Sequence, residues 1–228
     1  MKKYTYNEEF FKTPTEENCY VAGLIASDGC LYKDNSCKNY IFKLAFKESD
    51  KYLLEEFRLS VKYDGNIGYY KQNTCPMSQI RISGIQNNWL LDLNQHWNIT
   101  PRKSLTLKPP NITDINLCLA YIIGYIDGDG SICIFNIKQQ NKKIISLSIE
   151  GTFEVLNWIS QILSNLEDKK YKLLIPYKRK DRNTYELSYN KQRAYKLLHH
   201  LNKIQVPFKL KRKWNKIEEY EQFLCQNN

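Results

Sequence analysis

No stretch of the 228 residues reaches eighteen consecutive apolar side chains, so the sequence offers no helix suited to crossing a bilayer and no membrane partner is expected. The start, "MKKYTYNEEFFKTPTEE", has neither the apolar stretch of a signal peptide nor the acid-poor composition of a transit peptide. The expectation is an unexported, intracellular chain, in a prokaryotic or phage-infected cytoplasm or in a mitochondrion or chloroplast. CxxC pairs are also missing. The seven cysteines (19, 30, 37, 75, 118, 133 and 225) are odd in number and stand mostly among apolar neighbours, as reduced buried thiols do, which argues for a reducing compartment. Three scattered histidines (96, 199 and 200) do not make an HNH nuclease site, and the starting cysteine and terminal His-Asn pair of an intein are lacking.

What the chain does have is positive charge. Against 24 acidic residues stand 34 lysines and arginines, a net charge of +10 with a pI near 9.1, so the excess should gather on particular surfaces and meet a polyanion. The 42% apolar and 13% aromatic content is enough to bury one large core or two small ones.

Two stretches carry the same apparent liability. "VAGLIASDGCL", residues 21 to 31, sets Gly23 inside an apolar helical run and Asp28 at its C-terminal end. A mid-helix glycine costs about 1 kcal/mol relative to alanine, and an aspartate at a helix C-terminus meets the negative end of the dipole. "IIGYIDGDGSI", residues 122 to 132, repeats the pattern with Gly124 and Asp129. Gly23 with Ser27, and Gly124 with Gly128, each form a small-xxx-small strip along one helix face, which lets two backbones approach closely. If the two helices pack in the same direction, Asp28 and Asp129 become neighbours.

The elements around each motif run in the same order. "TPTEENCYVAGLIASDG" reads as a helix with Thr13 as N-cap and Pro14 in its first turn, ending at Gly29. A strand with Tyr40, Phe42, Leu44 and Phe46 on one face follows, paired with a shorter one near residues 30 to 33. Next come a helix in "ESDKYLLEEFRLSV" capped by Ser49 or Asp50, two further strands, and a helix in "IQNNWLLDLNQHW". From about Thr113 the order recurs, with a last helix in "KWNKIEEYEQFL". The fold class is therefore α+β: two pseudo-symmetric αββαββα halves, each with an antiparallel sheet. The first spans residues 1–100 and the second 113–228, joined by a linker over 101–112. Each half also supplies a lysine two residues after a proline, Lys103 in "TPRKS" and Lys209 in "VPFKL", with Lys211 and Lys213 competing for the second place.

Two carboxylates and two negative helix ends in one place call for a cation, and an all-oxygen donor set suits Mg²⁺ or another hard divalent ion such as Mn²⁺. Lysines beside such a site would meet a scissile phosphate, as in metal-assisted phosphodiester hydrolysis. The strand alternation gives a wetter face carrying Lys43, Lys47, Gln79 and Arg81 in the first half, and Lys138, Lys178 and Arg182 in the second, suited to nucleic-acid contact.

These residues carry a resemblance. "VAGLIASDG" matches the nine-letter signature of the LAGLIDADG homing endonucleases at six positions and "IIGYIDGDG" matches it at five, so the chain resembles the single-chain, two-motif form of that family. The resemblance implies two motif helices forming the interface between halves, sheets forming a DNA-binding saddle, and a monomer acting on double-stranded DNA. It further implies divalent-metal-dependent cleavage of both strands at a long asymmetric intron-homing target, leaving short 3′ overhangs. By position it makes Asp28 and Asp129 the metal-binding acids, with the backbone carbonyls of Ser27 and Gly128 as further ligands. Lys103, Lys209 and Lys47 become the basic residues beside the scissile phosphates. At the sixth motif position Ala26 replaces the aspartate kept by Asp127, which implies altered interface packing without loss of cleavage. The second-half counterpart of Lys47 falls near Glu150 to Thr152 and supplies no lysine. A maturase, binding intron RNA or DNA without cleavage, is the alternative within the same resemblance.

Overall fold

The computed structural model describes residues 4–34, 39–85, 87–137, 142–180 and 182–226. Its first half runs α1 (Glu16–Asp28), β1 (Cys30–Lys33), β2 (Tyr40–Lys47), α2 (Tyr52–Ser60), β3 (Gly68–Gln72), β4 (Cys75–Ser83) and α3 (Asn87–Trp97). The second runs α4 (Ile115–Asp129), β5 (Gly130–Ile137), β6 (Lys142–Gly151), α5 (Phe153–Ser164), β7 (Tyr177–Lys178), β8 (Tyr185–Asn190), α6 (Lys191–Lys203) and α7 (Lys211–Gln226). The two sheets have matching strand orders, β1-β2-β4-β3 and β5-β6-β8-β7, antiparallel throughout.

One face of each sheet is covered by helices. Phe42, Leu44, Ile80 and Ile82 are buried on the first sheet with Leu54 and Phe57 of α2 and Trp89 of α3, and the Phe42 and Phe57 rings stack at 5.4 Å. The alternation places Ile145, Leu147, Ile149 and Leu187 in the corresponding core of the second sheet with Val155, Ile159 and Leu197.

Between the halves, α1 and α4 pack in the same direction. A Cβ on Gly23 would fall on the Tyr121 carbonyl oxygen and lie 2.9 Å from the Tyr125 nitrogen; one on Gly124 would fall on the Tyr20 carbonyl oxygen and lie 3.0 Å from the Leu24 nitrogen. Those contacts are related by the same 101-residue offset that separates the motifs, as expected of a twofold-like pair. Further along, Gly128 meets the Ser27 side chain and comes within van der Waals reach of Asp28.

Two helix starts differ from the sequence expectation. Thr15, not Thr13, is the N-cap of α1, because Asn18 completes a capping box with it while its amide also donates to the Phe10 and Thr13 carbonyls. Lys51 occupies the N-cap of α2 with no side-chain bond, and the Asp50 carboxylate is instead buried against Arg212 at 2.8 Å.

Candidate active site

Asp28 and Asp129 end α1 and α4, and neither helix has a basic residue of its own in its last turn. Lysines from outside take that place. Lys103, buried in a 3-10 turn of the connector whose other residues are exposed, donates to the Ser27 carbonyl at 3.3 Å. Lys213, in the first turn of α7, donates to the carbonyls of Ile126, Asp127 and Gly128 at 2.9, 2.7 and 2.9 Å. Each lysine thus satisfies C-terminal carbonyls and offsets the negative helix end.

The lysines also face the acids across the halves. Lys103 interacts more strongly with Asp129 than with Asp28, whereas Asp28 is charge-stabilised most by Lys213. The packing explains the crossing. The turn bearing Lys103 is tied to the second half where Thr152 donates to the Leu107 carbonyl at 2.7 Å. The start of α7 docks on the first half, where the Tyr52 hydroxyl donates to the Lys209 carbonyl at 3.1 Å and accepts from the Lys211 nitrogen at 2.6 Å, and Arg212 pairs with Asp50.

The carboxylates themselves are exposed, but they sit where surrounding protein displaces part of their water. That desolvation raises the Asp28 pKa above the ordinary range; Asp129 is pushed up to about 6 by desolvation and then by the charge of Asp28. Burial lowers the pKa of Lys103 and brings that of Lys213 down to about 8. A cavity of about 220 Å³ opens beside this centre, lined by Ala26, Ser27, Lys103, Asp129, Glu150 and Thr184 among others. Among the described residues, no cluster of three His, Cys, Asp or Glu side chains capable of holding a metal forms. Two crowded like-charged carboxylates with nearby carbonyls nevertheless fit a hard divalent ion that completes its shell with water and phosphate oxygens.

Asp127 has a different occupation. Its buried carboxylate accepts from the Tyr20 hydroxyl at 2.7 Å, the Leu210 nitrogen at 2.9 Å and the Trp214 indole at 2.6 Å, which anchors the start of α7 and with it Lys213. Ala26, in the same motif position of α1, leaves space that the cavity uses.

The sequence placed Lys209 at the centre, and the structure moves it away. Its amine donates to the carbonyls of Leu201, Asn202 and Ile204 at the end of α6, at 3.2, 2.8 and 2.9 Å, so Lys213 is the lysine at the motif helices. Lys213 was visible in the sequence only as a competitor, because the extra turn that reaches it belongs to α7. Lys47 is exposed at the end of β2, opposite Met77.

On the uncovered face of the first sheet, strand register sets Lys43 opposite Arg81, Ala45 opposite Gln79 and Lys47 opposite Met77. Lys138 lies outside the described residues. Lys178 pairs with Tyr185, whose ring meets Phe153 of α5, so it belongs to the helix-covered face; Tyr177 takes the outward place beside Glu186. Arg182 reaches Glu150 at 3.1 Å. Arg179, which the sequence did not single out, bridges Glu150 at 2.7 Å and Glu186 at 2.9 Å. Its only sequence signal is its place in the basic run "YKRKDR".

No protein-family model and no curated protein matches the sequence. Solved structures do match in fold. The I-LtrWI LAGLIDADG homing endonuclease bound to target DNA aligns with a TM-score of 0.54 at 16% identity, over 96% of this chain and 90% of that one. I-SmaMI bound to uncleaved DNA target in the presence of calcium ions gives 0.55 at 14% identity, over 92% and 91%. The LAGLIDADG meganuclease I-AabMI bound to uncleaved DNA gives 0.57 at 13% identity, over 91% of each chain. With two like sheets meeting through paired motif helices, and alignment over about nine-tenths of both chains, this protein has the fold of the LAGLIDADG homing endonucleases.

Proposed function

We propose that the protein is a site-specific DNA endonuclease, a monomer that makes a double-strand break with short 3′ overhangs at a long asymmetric target by divalent-metal-dependent hydrolysis. One observation carries the reading. Asp28 and Asp129 are gathered at the adjoining ends of two helices whose glycines hold the backbones in contact, and two buried lysines, Lys103 and Lys213, donate to carbonyls at those same helix ends. Helix packing alone requires neither carboxylate.

Asp28 and Asp129 would hold Mg²⁺ or Mn²⁺, with the Ser27 and Gly128 carbonyls nearby as further oxygen donors. Bound there, the ion would activate water and stabilise charge on the leaving oxygen. Lys103, with a single carbonyl contact, would approach a scissile phosphate, and Lys213, whose three N–H donors are taken by the Ile126, Asp127 and Gly128 carbonyls, would offset growing negative charge through its own charge on the centre. Lys43, Lys47, Gln79 and Arg81 would contact the duplex, whereas Arg182 is held by Glu150. The DNA-bound neighbours support this partner, and the calcium in the I-SmaMI complex supports a divalent ion.

The test is to recover bound duplexes from a randomised library in calcium, then add Mg²⁺ or Mn²⁺ and map both strands. The expected result is a fixed pair of cuts leaving 3′ overhangs. Enrichment of a target with no cutting under either metal would overturn the nuclease reading, and tight intron-RNA binding in its place would favour the maturase.

A further inference from the structure

Equivalent positions on the two uncovered faces follow from strand register, and the faces do not match. Both sheets begin where a motif helix ends, so rows can be counted outward from the same point. Cys30, Lys43 and Arg81 form one row of the first sheet; the corresponding row of the second is Ser131, Ser148 and Ser188. Next to it, on the side of the motif helices, Ala45 and Gln79 correspond to Glu150 and Glu186.

Charge and reach differ accordingly. Arg81 is half exposed and approaches Asp34 at 3.9 Å, and Lys43 lies over the Tyr70 ring at 4.9 Å. These are long side chains on an open face. On the second sheet the row of hydroxyls is short, while the Glu150–Glu186 pair is bound by Arg179 and Arg182, so two carboxylates and two guanidiniums cancel. Like charges directly opposite each other on a sheet are destabilising, which makes these arginines structurally committed. Further out on that face, exposed Phe135 pairs with Ile144, exposed Asn190 with Ser146 and exposed Lys142 with Ile137.

We propose that the two sheets read the base pairs nearest the motif helices by different chemistry. The first discriminates strongly, with Arg81 and Gln79 making bidentate contacts to guanine and adenine edges and Lys43 meeting phosphate. The second discriminates weakly there, through short serine hydroxyls that pair with any base beside a neutralised Glu150–Glu186 pair. The proposal rests on the DNA-binding reading above and assigns where in the target its specificity lies.

The experiment measures binding, in calcium, to every single-base variant of the selected target, for the unaltered protein and for Arg81→Ser and Ser188→Ala. A good bidentate contact gives roughly 5- to 150-fold discrimination per base pair. The expected result is that, among the base pairs nearest the centre, discrimination of that size falls on the first sheet's side and is erased at one or two positions by Arg81→Ser, while the second sheet's side is nearly flat and stays so in Ser188→Ala. Lys43→Ala should reduce the slope of log affinity against log salt by about 1, uniformly across variants. Equal discrimination on the two sides of the centre, or a profile untouched by Arg81→Ser, would overturn the proposal while sequence-specific binding stands. Equal binding to every duplex would overturn the endonuclease reading itself.

Discussion

Asp127 and Asp129 stand two residues apart on α4, and their oxygens meet opposite neighbours. Asp127 is saturated by three donors from Tyr20, Leu210 and Trp214, and so is committed to holding the chain in place. Asp127→Ala would strand those buried donors at a cost of about 1–3 kcal/mol for each group left unpaired. Urea unfolding should show a clear loss of stability, whereas the motif acids remain in place. Asp129 has no such partner set, and its pKa is pushed up to about 6 by desolvation and by Asp28. A raised carboxyl pKa means that the folded state binds the proton more tightly than the unfolded state, so stability is greater at low pH and is lost as pH rises from about 4 to about 6. The carboxylate's contact with water keeps this effect modest. Asp129→Asn should therefore flatten the metal-free melting temperature across that window and raise it slightly at pH 7, the reverse of Asp127→Ala. An unchanged pH profile in the Asn variant would contradict the placement of Asp129 beside Asp28.

At the scale of elements, the close approach of α1 and α4 is what brings the acids together. Gly23→Ala and Gly124→Ala would each drive a methyl group into a facing backbone carbonyl, which a side-chain rotation cannot relieve. Overpacking of this kind costs about 1–3 kcal/mol, and the helices must separate to accept it. Both variants should melt earlier and lose cleavage together, by thermal denaturation and end-labelled digestion; full cleavage in either would mean that the acids do not depend on this contact. Much of this was legible in the sequence, because glycine inside an apolar run has few purposes and its repetition at 101 residues announced a pair. The αββαββα order was legible too, since each core face shows its period of two or of 3.6. The α1 cap was missed because Thr13 and Thr15 both satisfy a capping pattern, and only the tertiary bonds of Asn18 decide between them.

For the whole molecule, the decisive relation is that the connector and the start of α7 each bring one buried lysine to the paired helix ends. The connector carries Lys103 to the side of Asp129, and the start of α7 carries Lys213 to the side of Asp28, each held by a hydrogen bond to the half it visits. This explains why Lys209 looked suitable in the sequence: matching the order of residues after each motif ignores how far the chain travels before it docks. It also explains why Lys178 could not be sorted from Tyr177, since a two-residue strand has too little alternation to set a face. The asymmetry of charge between the sheets likewise lies in cross-strand register, which a linear sequence does not display.

The central claim, that Asp28 and Asp129 form one catalytic centre served by two buried lysines, is tested most directly by strand-resolved cleavage of the selected target in Mg²⁺. Asp28→Asn, Asp129→Asn and Lys213→Ala should be compared with Lys209→Ala at a temperature where all four are folded. The account predicts that each aspartate variant abolishes double-strand cleavage while DNA binding persists, that Lys213→Ala sharply slows at least one strand, and that Lys209→Ala cuts both strands at a normal rate. Double-strand cleavage by either aspartate variant, or a loss confined to Lys209→Ala, would contradict it.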